Sequence, residues 1–224
     1  MSEESRKVLG KFGQLGSVAD GGYTDFALTR KGAQITTEQL LEWAIQGRTF
    51  HAQQGDAGTL VDFAEVAYDE DQPQFALRVP SGVMVIPLSI VYTFQDQAGT
   101  DNHIILSRAT NDIGNGTSTD ATVSNMRANS AKTSLCTARS LYTGNATAAT
   151  GIIEFARFVD PFAAASTAPR PRYEWNIKKA AAIPVLEGPA TLQAHVYATT
   201  DGPEGFSEWV WAEVQTADLV LPLS

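Results

Sequence analysis

Apolar residues recur at every second position through much of the chain. Leu88, Ile90, Tyr92 and Phe94 alternate strictly, and Val83, Val85 and Ile86 lead into them through Pro87. A period of two places successive side chains on opposite faces, so this set predicts a strand with one buried face. Proline cannot donate to a ladder, so Pro87 must sit at an edge, a bulge or a break. Upstream, Phe75, Leu77 and Val79 alternate with Ala76 and Arg78, and Pro80-Ser-Gly82 marks a turn. Downstream, Asp96–Asp101 reads as a turn and His103–Ala109 as a returning strand. Further strands are predicted at Leu135–Tyr142 and at Gly151–Phe158, the latter with Ile153 and Phe155 on one face and Ile152, Ala156 and Phe158 on the other. Tyr173, Trp175 and Ile177 alternate, as do Leu192, Ala194, Val196 and Ala198, with Gln193, His195, Tyr197 and Thr199 opposite. Phe206–Val214 places Trp209 and Trp211 on one face, and Leu219–Leu221 closes the chain. Glu187-Gly-Pro189 and Asp201–Gly205 are reversals.

The pattern changes at three places. Residues 36–47 carry apolar side chains at helical spacing: Leu40, Leu41, Ala44 and Ile45 form a face that Trp43 flanks. Thr36 with Gln39 three residues on is a capping-box pattern, and Gly47 is a natural stop. A helix of about ten residues is marginal alone, so this one must dock on its own sheet or on a neighbour. Residues 1–35 have no clear period and hold Gly10, Gly13, Gly16, Gly21, Gly22 and Gly32. They read as an extended N-terminal arm, either a frayed terminus or a segment that ties subunits together. Residues 111–131 are polar, with Ile113, Val123 and Met126 as the sizeable apolar groups, and read as an exposed excursion without regular structure.

These elements give an organisation of arm (1–35), short helix and linker (36–56), and β-sandwich (57–224) with an exposed loop at 111–131. The strands do not alternate with helices, which argues against a parallel α/β fold. Nor is there a repeat of the kind that builds propellers and solenoids. The expectation is an all-β protein: an antiparallel β-sandwich of jelly-roll type with an extended arm and one short helix.

Composition narrows the function. Hydrophobic residues make up 43% of the 224 and charged residues 18%, which excludes a charge-rich disordered chain. A net charge of −9 argues against nucleic-acid binding, because neutralising phosphates takes clustered Lys and Arg. The arm is no exception: Arg6, Lys7, Lys11, Arg30 and Lys31 nearly cancel against Glu3, Glu4, Asp20 and Asp25. No leader h-region is visible in residues 1–20, and Val83–Tyr92 is far short of the ~20 residues that a membrane helix needs. A lone Cys136 excludes an intrachain disulfide and is read as a small buried hydrophobe.

Chemistry is not encoded in any motif. His51, His103 and His195 have no metal-ligand spacing, and there is no nucleophile elbow or P-loop. The acidic run Asp56, Asp62, Glu65, Asp69, Glu70 and Asp71 lacks calcium-loop spacing and reads as a solvated face, as do Asp112, Asn115, Thr119 and Asp120. No catalytic residue, cofactor or metal is expected.

Arg48-Thr-Phe-His51, Asp56-Ala-Gly-Thr59, Ala76-Leu-Arg-Val-Pro80-Ser-Gly82 with Ile86-Pro-Leu-Ser-Ile90, and Trp209-Val-Trp-Ala-Glu213 resemble virion structural proteins of bacteriophages, of the sandwich-type capsid or capsid-associated kind. The resemblance implies a virion component, made in the host cytoplasm, that self-assembles into or decorates a shell and meets copies of itself and other virion proteins. Phe12, Tyr23, Phe26, Leu40, Leu41, Trp43 and Ile45 are the residues expected at inter-subunit contacts, since they are the large apolar groups of the arm and helix. Two other readings compete. In one, Trp209 or Trp211 stacks on sugar rings with Tyr197, as in a carbohydrate- or receptor-binding module of a virion. In the other, the sandwich carries a hydrolase whose carboxylates only the fold would reveal.

Overall fold

The computed structural model describes residues 39–56, 58–63, 68–95, 101–144, 147–160, 172–198 and 203–218. The arm, Thr36, the turn after Gln95 and Leu219–Leu221 lie outside them.

One helix, α1 (Gln39–Ile45), precedes thirteen strands among the described residues. They are β1 (Thr49–Gln54), β2 (Val61–Asp62), β3 (Phe75–Val79), β4 (Val83–Phe94), β5 (Asn102–Ala109), β6 (Thr117–Asp120), β7 (Val123–Asn125), β8 (Thr137–Gly144), β9 (Ile153–Asp160), β10 (Arg172–Asn176), β11 (Leu186–Glu187), β12 (Ala190–Tyr197) and β13 (Glu204–Gln215). They form two antiparallel sheets packed face to face. The first has seven strands in the order β10-β4-β13-β1-β7, with β11 on β4 and β2 on β13. The second has six, β6-β8-β3-β12-β5-β9. The expected all-β sandwich is the fold observed. Eight of the strands supply its frame, four per sheet, β1-β13-β4-β10 and β3-β12-β5-β9, and the eight-residue β8 extends the second sheet beside β3.

The core lies between the sheets and is dominated by aromatic rings. Trp209 of β13 stacks on Phe75 of β3 at 4.3 Å and 23°, joining the two sheets at their centre. Phe63 meets Tyr92 and Phe94 edge-on at 5.6 and 5.8 Å. Toward one flank, Trp175 of β10 meets Phe155 of β9 at 5.4 Å. Fully burying such a ring stabilises by roughly 2–3 kcal/mol, so the alternating aromatics fix which face of each strand turns inward. Trp209 and Trp211, either of which the competing carbohydrate reading would place beside Tyr197 on a sugar, are both 1% exposed. They belong to the core, and that version of a carbohydrate site is excluded.

Three departures from simple alternation have local causes. In β4 the inward residues change from odd (Val83, Val85) to even (Ile90, Tyr92, Phe94). An extra residue must absorb that change of parity. It is Leu88: Val210 faces Ser89 but Trp211 faces Pro87, a bulge in the middle of the sheet. Leu88 is therefore half-buried rather than part of the inward row, and its carbonyl accepts from Ile177 N–H at 3.0 Å, outside the ladder. In β9, Ser107 faces Glu154 while Leu106 faces Ala156, so Phe155 is the bulged residue. Phe155, Ala156 and Phe158 then all pack on the core and Ile153 is half exposed, which corrects the two-faced reading of this strand. In β8, Leu141 adopts φ +53°, and its N–H and that of Tyr142 donate to Gln74 O and Pro73 O.

The segment 111–131 is not a structureless excursion. It supplies β6 to one sheet and β7 to the other, and Ile113 is fully buried in a small cluster with Ala76 and Tyr142. This cluster and residues 68–73 cover the outer face of β12. That coverage explains why Gln193 and His195, on the face opposite Leu192 and Ala194, and Thr191 beside them, are at most 2% exposed. Thr191 Oγ1 donates to Asn111 O at 2.8 Å. His195 Nε2 lies 3.3 Å from Glu70 O, and the Tyr68 ring sits 5.0 Å from the imidazole. A carbonyl only accepts, so the imidazole proton belongs on Nε2. Burial, the main cause, lowers the His195 pKa to about 4.

Candidate assembly surface

Helix α1 ends in a paired hydrogen-bond motif. Gly47 N–H donates to Ala44 O (3.0 Å) and Arg48 N–H to Trp43 O (2.9 Å), with Gly47 at φ +64°. This is the double closure that a left-handed glycine permits, and it turns the chain directly into β1. The helix does not bury the whole predicted face. Leu40, Trp43 and Ala44 are half-buried, whereas Leu41 and Ile45, four residues apart on one stripe, are 55% and 58% exposed. Of the residues expected at subunit contacts, the structure thus exposes two. Phe12, Tyr23 and Phe26 lie outside the described residues.

Four further exposed apolar side chains belong to connections, Met126 and Leu135 at the end where β1 begins and β13 ends, and Ile183 and Val185 beside the β4 edge of the same sheet. Met126, largely exposed, follows β7, and its N–H donates to Thr49 O. Leu135 is about half exposed, and its N–H donates to Glu213 Oε2 at 2.9 Å. Ile183 and Val185, also about half exposed, precede Leu186, which pairs with Val85. Sequence reading missed these four. Each sits in a connection, where an isolated apolar residue carries no periodic signal.

Among them opens a pocket of about 310 Å³, with Arg48 and Lys132 at its walls and Phe50, Val83 and Val214 among its apolar residues. Glu213 also lines it and is 7% exposed. Its carboxylate accepts from Trp211 Nε1 (2.8 Å), from Leu135 N–H and from the Ser134 hydroxyl. These donors hold it inside the sheet end as a structural acceptor. Burial, helped by Glu213, pushes the Cys136 thiol well above its ordinary range, so the residue is the inert buried group expected.

The remaining candidate residues resolve into local roles. Asp56 accepts from Gly58 and Thr59 N–H in its own turn, and Asp69 does the same for Asp71. Asp112 is clamped by Arg78 through two bonds of 2.5 and 2.6 Å, which hold its carboxyl below the usual range. Asp120 pairs with Arg139. Glu65 lies outside the described residues, and among those described no group of three or more ligating side chains could hold a metal. His103 stacks on Tyr197 at 4.8 Å. No described helix is long and apolar enough to cross a membrane. The chain matches no known family, no curated protein and no solved structure.

Proposed function

We propose that the chain is a structural protein of a bacteriophage virion that self-assembles into, or decorates, a capsid shell. One observation carries this reading: Leu41 and Ile45 stand exposed on one stripe of α1, and Met126 and Leu135, also exposed, are tied by their N–H groups to Thr49 and Glu213 at the end of the sandwich into which that helix leads. A cluster of exposed apolar side chains marks a contact surface rather than a solvated end. The segment that precedes it, residues 1–38, includes the arm with Phe12, Tyr23 and Phe26. Its seating on this end of an adjacent copy would bury both, and closed symmetry would repeat the contact. We read the frame of eight strands as a jelly roll. Numbered in chain order they run 1-8-3-6 in one sheet and 2-7-4-5 in the other, which is two interlocked Greek keys. The source of the virion assignment is the resemblance of the four sequence segments. In this reading the protein performs no catalysis, makes no direct contact with nucleic acid, and functions in the virion after synthesis in the host cytoplasm.

Light scattering after size exclusion, with negative-stain images of the same fractions, tests the proposal. Defined oligomers, rings or particles are expected, and removal of residues 1–35 should reduce them. A chain that stays monomeric at every concentration and ionic strength rules out self-assembly.

A further inference from the structure

We infer that the flank of the sandwich holds a binding site for a neutral saccharide. This goes beyond the assembly reading and uses different residues. A cleft of about 440 Å³ lies where β1 and β7 of one sheet approach β6 and β8 of the other. That volume suits a small ligand of about two sugar rings.

The lining selects for an uncharged, hydroxyl-rich molecule. Gln53, Thr119, Thr122, Ser124 and Ser140 all face the cleft. Their backbones pair in the sheets or turn between them, but their side chains make no hydrogen bond to the described residues, and Ser140 is only 6% exposed. Side-chain hydroxyls and amides both donate and accept, as the hydroxyls of a sugar do. Ionisable groups are few. Asp120 pairs with Arg139 through one carboxylate oxygen, and His51 is the other titratable side chain of the lining, so charge is sparse beside the hydroxyls and amides. Val61 and Leu141 supply aliphatic surface for the C–H face of a ring.

Leu141 is the second independent mark. A branched side chain at φ +53° is uncommon and persists only when its surroundings hold it. Here the Leu141 and Tyr142 N–H groups are held by Gln74 O and Pro73 O. The turn of the backbone there aims an apolar side chain, 37% exposed, into a cleft that it shares with Val61 and with the polar side chains. The walls are strands and a tight crossover, so the site is formed before a ligand arrives.

Saturation-transfer NMR on the full chain with maltose, cellobiose, lactose and chitobiose, each at about 10 mM, reads binding in the range expected for a shallow site. At least one disaccharide should give transfer. The Gln53→Ala/Ser124→Ala variant alters two exposed side chains and should weaken that binding about tenfold with no change in Tm. Silence from all four sugars overturns the inference, as does binding that the variant leaves intact. Sizing of the same variant separates this outcome from the assembly reading, because its oligomeric state should not change.

Discussion

Glu213 shows how little an acidic residue reveals of its position. It continues the inward row of Ser207, Trp209 and Trp211, and its carboxylate gathers an indole, a hydroxyl and a backbone donor. Glu213→Ala would leave the Trp211 indole and the Leu135 N–H without their acceptor, while the Ser134 hydroxyl keeps Cys136 O. The substitution should cost about 3 kcal/mol in denaturant unfolding, whereas Glu213→Gln, which keeps one acceptor, should cost about half that. Gly188 is a second such position. A Cβ there would stand 1.9 Å from Pro80 O, against backbone that cannot swing aside. Gly188→Ala should therefore destabilise by more than about 2 kcal/mol, with the loss of β11–β4 pairing visible in hydrogen exchange. His195 supplies the pH dependence. Its pKa falls from 6.5 in the unfolded chain to about 4 in the folded one. Between those values the unfolded chain binds the extra proton, so stability is full above pH 6.5 and falls as pH drops toward 4. The loss approaches 3 kcal/mol at about 1.4 kcal/mol per unit, and His195→Phe should flatten that slope in urea titrations at successive pH values. None of the three positions was legible in the sequence. In the sequence Glu213 is one residue of a strand, Gly188 a turn residue and His195 a strand histidine opposite the apolar row, and the partners that give each its role include residues far away in the chain.

The elements themselves were far more legible. Strands β3, β4, β10, β12 and β13 follow directly from the alternation of large apolar residues, and Pro87 at a bulge is one of the three places its missing N–H allowed. Alternation failed where one inserted residue reversed parity, as at Phe155, because a bulge is a pairing event that a single strand's sequence does not record. Segment 111–131 failed for a related reason. Strands β6 and β7 are short polar edge strands, and they owe their order to β8 and β1 rather than to their own side chains. Helix α1 was legible in place but not in orientation. Its stop at Gly47 follows from the glycine, whereas the exposure of Leu41 and Ile45 depends on what the sandwich end offers. Replacing both with Ser should leave the monomer's Tm within about 1 kcal/mol of equivalent stability, since exposed apolar side chains contribute little to the isolated fold. Sedimentation velocity should then show smaller species than the unaltered chain forms. An unchanged size distribution would remove α1 from the contact surface.

For the molecule as a whole, the sequence carried the class of fold and left the partnership of strands open. Nothing in β1 announces that it will lie beside β13, because that choice rests on Phe50 meeting Trp211 and on the shared inward face. The candidate surfaces were less legible still. Both the apolar end and the polar flank are assembled from connections whose residues are unremarkable singly and meaningful only once the sheets bring them together. The crossing from β6 to β7 has a mechanical consequence. The chain passes from one sheet to the other through Ala121 and Thr122 alone, so along that margin the layers are bound like the spine of a book. On the opposite margin the described residues of β9 and β10 meet through side chains, Phe155 on Trp175 and Phe158 on Tyr173. Under force or heat the sandwich should open from the β9–β10 margin and hinge at the spine, and the saccharide cleft, lying against that hinge, would be the last part of the molecule to lose its shape.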